Sequence, residues 1–67
     1  MKNLGGLTMF VIKRVEDGAY VAPLGSRSSY TFALDHARTF PTQDSARKEK
    51  CGNEIVLPVE ECLQHPD

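Results

Sequence analysis

Apolar residues in this chain fall in short runs separated by turn formers. Thr8-Met-Phe-Val-Ile-Lys-Arg-Val15 is rich in β-branched and aromatic side chains, and Tyr20-Val21-Ala22 follows after Glu16-Asp17-Gly18-Ala19. Asp-Gly between two such runs predicts a β-hairpin with a two-residue type I′ loop, because that turn needs positive φ at both central positions. The register that follows sets Val15 beside Tyr20 and Lys13 beside Ala22 on one face, with Arg14 beside Val21 on the other.

Leu24-Gly-Ser-Arg-Ser-Ser29 is small and polar, with nothing to build a core, and reads as a loop. Between Tyr30 and Phe40, residues Ala33, Leu34 and Ala37 fit one helical turn, expected over 34–38. Tyr30-Thr-Phe32 and Thr39-Phe40 are each open to two readings, a short strand or a loop anchor. Thr42 then offers an N-cap, Asp44 an acid in the first turn, Arg47, Lys48 and Lys50 bases in the last, and Gly52 a left-handed stop. A helix over 43–51 is predicted, with Ala46 on its thin apolar stripe. In 54–60, Ile55, Leu57 and Val59 alternate with Glu54, Val56, Pro58 and Glu60, the pattern of a half-buried strand.

Proline orders these strands. It lacks a ladder donor and is confined to sheet edges, strand ends or bulges. Pro23 closes the second run and Pro58 lies in the last, whereas Phe10-Val-Ile12 is apolar on both faces and belongs in the centre. The expected fold is α+β and β-β-α-β, a three-stranded antiparallel sheet of order 2-1-3 with one short helix on one face. Residues 9–62 would form the single domain, 1–8 a flexible N-terminal extension and 63–67 a tail. Gly5-Gly6 can be encoded GGA-GGT, a bacterial ribosome-binding sequence two codons before an ATG at Met9. A native start at Met9 and an ordinary extension are both open readings.

Composition narrows the class. A domain of 67 residues buries only about 60% of its unfolded surface. The net charge of −1 supplies neither a broad basic nor a broad acidic field, so electrostatic recognition has to be local. No apolar run approaches a membrane span and no signal-peptide core is visible, so a bacterial cytoplasmic location is expected. Two cysteines are too few for a secreted disulfide framework of this size, and reduced thiols are expected.

Cys51, Cys62, His65 and His36 have the residue types of a zinc site, but the two cysteines bracket a predicted strand instead of forming a tight knuckle. The same separation opposes an internal disulfide. Ser26, Ser28, Ser29, Asp35 and His36 are only the composition of a catalytic site, with no nucleophile elbow, and Gly25-Ser26-Arg27 lacks the form of a nucleotide cradle. No enzyme activity, metal or cofactor is expected. Lys13, Arg14, Arg27, Arg38, Arg47, Lys48 and Lys50 outnumber the acids around them, and with Tyr20, Tyr30 and Phe32 they raise single-stranded nucleic-acid binding as the alternative function. Solvated helix ends and half-buried tyrosines account for most of the same residues.

The pattern Phe10-Val-Ile-Lys-Arg14, Asp17-Gly-Ala-Tyr-Val21, Gly25-Ser-Arg-Ser-Ser-Tyr-Thr31, Ala37-Arg-Thr-Phe40 with Thr42, and Cys51-Gly-Asn-Glu54 resembles small accessory proteins of bacteriophages and prophages. Small phage proteins of this kind include anti-CRISPR and other anti-defence inhibitors. The resemblance implies a non-enzymatic protein-binding module that occludes a surface of a host defence effector complex. Arg27 and Tyr30 are residue types enriched at interface hot spots, and the loop Gly25 to Thr31 that carries them is the expected partner-binding site, with Arg14 and Arg38. Arg14 is expected on the sheet face opposite the helix.

Overall fold

The computed structural model describes residues 8–63. The extension expected over 1–8, apart from Thr8, and the tail expected over 63–67, apart from Leu63, lie outside the described residues. Four strands, β1 (Phe10–Arg14), β2 (Tyr20–Val21), β3 (Tyr30–Thr31) and β4 (Glu54–Pro58), form one antiparallel sheet of order β3-β2-β1-β4. The α+β class and the central place of β1 match the patterning. The sheet has four strands instead of three. The additional one, β3, is two residues long and carries no periodicity, and it is held by the pairs Tyr20–Thr31 and Val21–Tyr30.

The hairpin is wider than the Asp-Gly pair predicts. Lys13 lies opposite Tyr20, and the chain turns through the four residues 15–18. Gly18 closes the turn at φ 78°, donating to the Arg14 carbonyl at 2.8 Å, while Arg14 N–H donates to Ala19 at 2.6 Å. Asp17 favours the wider loop, since its carboxylate accepts from Ala19 N–H at 3.1 Å and from the Arg14 side chain. The register slips by two residues, so the side chains expected to share a face still share it.

β4 turns over relative to the apolar alternation. Ile12 pairs with Val56 and Arg14 with Glu54, which puts Val56 and Glu54 on the side of Phe10 and Ile12. Val56 packs against Ile12, Phe40 and Ala46, whereas Ile55 is 43% exposed. The strand also stops at Pro58. A second helix, α2 (Val59–Leu63), replaces its expected last residues, with Glu60 and Glu61 in the first turn where the helix dipole favours acids. Val59 N–H donates to the Met9 carbonyl at 2.9 Å, keeping the start of α2 on β1.

Helix α1 (Gln43–Glu49) begins where its caps predict. Thr42 Oγ1 accepts from Ser45 N–H at 3.1 Å, and Ser45 Oγ accepts from Thr42 N–H at 3.4 Å. Ala46 is fully buried and lets the helix backbone approach the sheet closely. The C-terminus differs from expectation, because Lys50 is extended at φ −77° and ψ 153° and Gly52 is not left-handed. The chain reaches β4 through a turn in which Glu54 N–H donates to the Cys51 carbonyl at 3.2 Å. The expected turn over 34–38 is a 3₁₀ helix at Leu34–His36.

Of the two readings open for Thr39-Phe40, strand-like pairing holds at Phe40, which bridges Phe10. Past the Lys13–Tyr20 pair, the segment 38–40 lies beside β1 and β2. Arg38 N–H donates to Val21 at 2.9 Å, and Phe10 and Phe40 exchange two backbone hydrogen bonds of 2.8 Å each. The Phe40 ring, 4% exposed, anchors the core with Ile12 and Ala46. Among the described residues four of the seven buried apolar ones are alanines, so the core is thin and each large side chain in it matters.

Candidate binding surface

The loop 23–29 is shaped by one glycine. Ser26 N–H donates to Pro23 at 3.1 Å, and Gly25 at φ 89° occupies the position of a type II turn that requires a positive φ. Beyond the turn, Ala22 N–H donates to Ser29 at 2.9 Å, so the loop is pinned at its base while Leu24 and Arg27 project from it. Two depressions flank the loop. Arg27 and Tyr30 line one with His36, and Arg27 and Arg38 line the other. Arg27, on the loop, and Tyr30, directly after it, are therefore joined by Arg38 from a separate stretch of chain.

Arg14 reaches the same region through Tyr30. Its guanidinium holds Asp17 in a two-pronged ion pair, Nε to Oδ1 at 3.0 Å and Nη2 to Oδ2 at 2.8 Å. It also lies 3.7 Å from the centroid of the Tyr30 ring, within cation–π range. The Tyr30 hydroxyl donates to Glu54, and Glu54 accepts a second bond from Cys51 N–H at 2.7 Å. Arg14 and Tyr30 thus stand on the same side of the sheet as α1, opposite to the expected placement of Arg14, because Arg14 shares its face with Ile12 and pairs with Glu54.

These contacts shift the titration of their members. Hydrogen bonds from Arg14, then from Ala19 N–H, lower the Asp17 carboxyl to about 2. Asp17 in turn raises the Arg14 guanidinium above its ordinary value. Tyr30 is raised, first by its bond to Glu54 and then by loss of hydration. Asp17 and Glu54 are the two members that sequence reasoning missed. Asp17 served there only as a turn former, and Glu54 sat on the strand face that lacked the isoleucine and leucine.

Arg38 is held differently. Its guanidinium lies 4.6 Å from the centroid of the Phe40 ring and 3.9 Å from Glu49 Oε1 on α1. Tyr20 and Tyr30 project from opposite faces, since Tyr20 pairs with Thr31 and Tyr30 with Val21. On its own face Tyr20 meets Cys62 of α2, and burial, with Cys62 adding to it, raises its hydroxyl. Cys51 is exposed, Cys62 is half-buried, and both are free thiols. Among the described residues no three His, Cys, Asp or Glu side chains gather as metal ligands, and His65 lies outside them. An apolar groove of about 490 Å³ runs between Leu34, Ala37 and Thr39 on one side and Val59 and Leu63 of α2 on the other. No described helix is long and apolar enough to cross a membrane.

No protein-family model, curated protein or solved structure matches the chain. Its functional reading therefore rests on this surface.

Proposed function

We propose that the domain is a non-enzymatic protein-binding module that docks through loop 23–29, with Arg27 at the centre and Tyr30, Arg38 and Arg14 around it. The observation that carries this reading is the arrangement of the loop: Arg27 lines both flanking depressions, one shared with Tyr30 and the other with Arg38. Leu24, 83% exposed on the same loop, and Phe32, 70% exposed just beyond β3, add apolar area for contact. Arg14 is already ordered by Asp17 and Tyr30, so little side-chain freedom remains for it to lose on binding. The resemblance to phage accessory proteins supplies the setting, inhibition of a bacterial defence complex by covering one of its surfaces.

Arg27→Ala and Arg38→Ala are the clean tests, since Tyr30 also anchors Glu54. With a partner captured from bacterial lysate and purified, each variant should weaken binding about tenfold, as expected of interface hot spots. Thermal stability should stay near that of the parent. Parental affinity in both variants sinks the proposal. If the bound material is instead single-stranded nucleic acid, with affinity falling steeply as salt rises, the alternative function replaces it.

A further inference from the structure

The depression between loop 23–29 and the Leu34–His36 turn has chemistry of its own. Ser26, Arg27, Ser28, Tyr30, Thr31 and His36 contribute to its wall, and no carboxylate does. The chain carries no Asp or Glu between Asp17 and Asp35, and Arg27 is the one charged residue of that stretch. Arg14 and Arg38 face Asp17 and Glu49, whereas Arg27 makes no ion pair among the described residues. The hydroxyls of Ser26 and Ser28 and the backbone N–H groups of Arg27 and Ser28 also have no acceptor or donor among them. Arg27, Ser26, Ser28 and His36 thus line one depression, and their side chains have no hydrogen-bond or ion-pair partner among the described residues.

We infer that this depression binds a phosphate-monoester dianion. Its volume of about 260 Å³ leaves room for a phosphoryl group. A guanidinium fork takes two oxygens in one plane. Hydroxyl and imidazole groups beside it offer further donors for the third oxygen of a tetrahedral anion, which a planar carboxylate lacks. Free phosphate and a phosphorylated side chain of a partner protein share this chemistry. The site stands independently of the docking proposal, because it requires an anion and not a protein surface.

Backbone-amide NMR titration at constant ionic strength tests it, with inorganic phosphate, a short phosphoserine peptide and dimethyl phosphate as separate probes. Inorganic phosphate should give saturable shifts at Ser26, Arg27, Ser28 and His36, with dimethyl phosphate clearly weaker. Arg27→Gln should reduce phosphate affinity at least about tenfold, the scale of a lost charge-assisted hydrogen bond, and leave the amides of β1 and β4 unmoved. Tighter binding of the phosphoserine peptide identifies a phosphorylated partner as the source, and equal binding identifies free phosphate. Absence of saturation, an equal response to dimethyl phosphate, or unchanged affinity in Arg27→Gln overturns the inference. Protein docking through Arg27 can survive that failure, because it is read with a different ligand.

Discussion

Tyr30 donates its hydroxyl proton to Glu54 across 24 residues of sequence, and the carboxylate that receives it is only 3% exposed. A buried carboxylate is tolerated when hydrogen bonds replace its lost water, and here Tyr30 and Cys51 N–H are the donors. Glu54→Ala should therefore cost about 1–3 kcal/mol, the range for groups left unsatisfied on burial. Tyr30→Phe should also destabilise. Because the two act on one bond, adding Tyr30→Phe to Glu54→Ala should cost less than Tyr30→Phe costs alone. Urea denaturation of the four proteins measures this, and strict additivity would break the coupling.

The backbone at Gly18 makes a second expectation. At φ 78° it lies in the left-handed region, yet a Cβ there would meet only the Lys13 side chain at 3.6 Å. The obstacle is conformational and not a clash. Gly18→Val should destabilise by about 1–3 kcal/mol, the usual cost of holding a β-branched residue in that region. Gly52→Ala, with no positive φ and nothing within 4 Å of the new methyl group, should stay within about 0.5 kcal/mol of the parent. Equal losses at the two positions would show that the left-handed turn is not at Gly18.

Elements governed by neighbours in sequence were legible, and those governed by distant partners were not. Thr42 and Asp44 announced the start of α1 because capping is settled within one turn. Phe10 to Ile12 announced a central strand because both faces are apolar. β3 escaped because two residues have no period, and its place depends on Val21 and Tyr20. The facing of β4 was misjudged for a related reason. Apolar alternation favours burying Ile55, but pairing with Ile12 puts Val56 in the core, and Tyr30 makes a buried Glu54 acceptable. At the candidate surface, residue type alone singled out Arg27, Tyr30 and Arg38. The loop itself already joined Arg27 to Tyr30, whereas the approach of Arg38 and the tie of Arg14 to Asp17 required the folded chain.

Phe40 makes the third expectation. Its backbone extends the edge of β1 at Phe10, and its ring is the largest buried side chain in a core otherwise rich in alanine. Phe→Ala changes in such sites cost about 3–5 kcal/mol. Domains have only about 0.05–0.15 kcal/mol of stability per residue. Phe40→Ala should leave much of the population unfolded at room temperature, visible as lost amide dispersion. Phe40→Leu should remain folded at a lower midpoint. Phe32→Ala, at a ring 70% exposed, should hardly move the midpoint. A fully folded Phe40→Ala variant would mean that the ring is not part of the core.

The ion pair of Arg14 with Asp17 sets how stability responds to acid. The Asp17 carboxyl ordinarily titrates at 3.8 and is held at about 2 in the folded protein. Folding therefore favours its ionised form. The stabilisation is fully present above 3.8 and disappears as pH falls from there to about 2. Other carboxylates titrate over the same range, so the informative quantity is the difference between the parent and Asp17→Asn. Asparagine keeps an oxygen for the Ala19 N–H but has no charge for Arg14, which isolates the ion pair. The parent should be the more stable protein near neutrality, with the gap closing as pH drops through that window. In Arg14→Gln the Asp17 carboxyl should return toward its ordinary value, and a further Asp17→Asn change should then have little effect. Urea is the denaturant of choice, because guanidinium salt would screen the exposed pair being measured. A gap that stays constant from neutrality to pH 2 would show that the charge of Asp17, and with it the ion pair to Arg14, contributes nothing to stability.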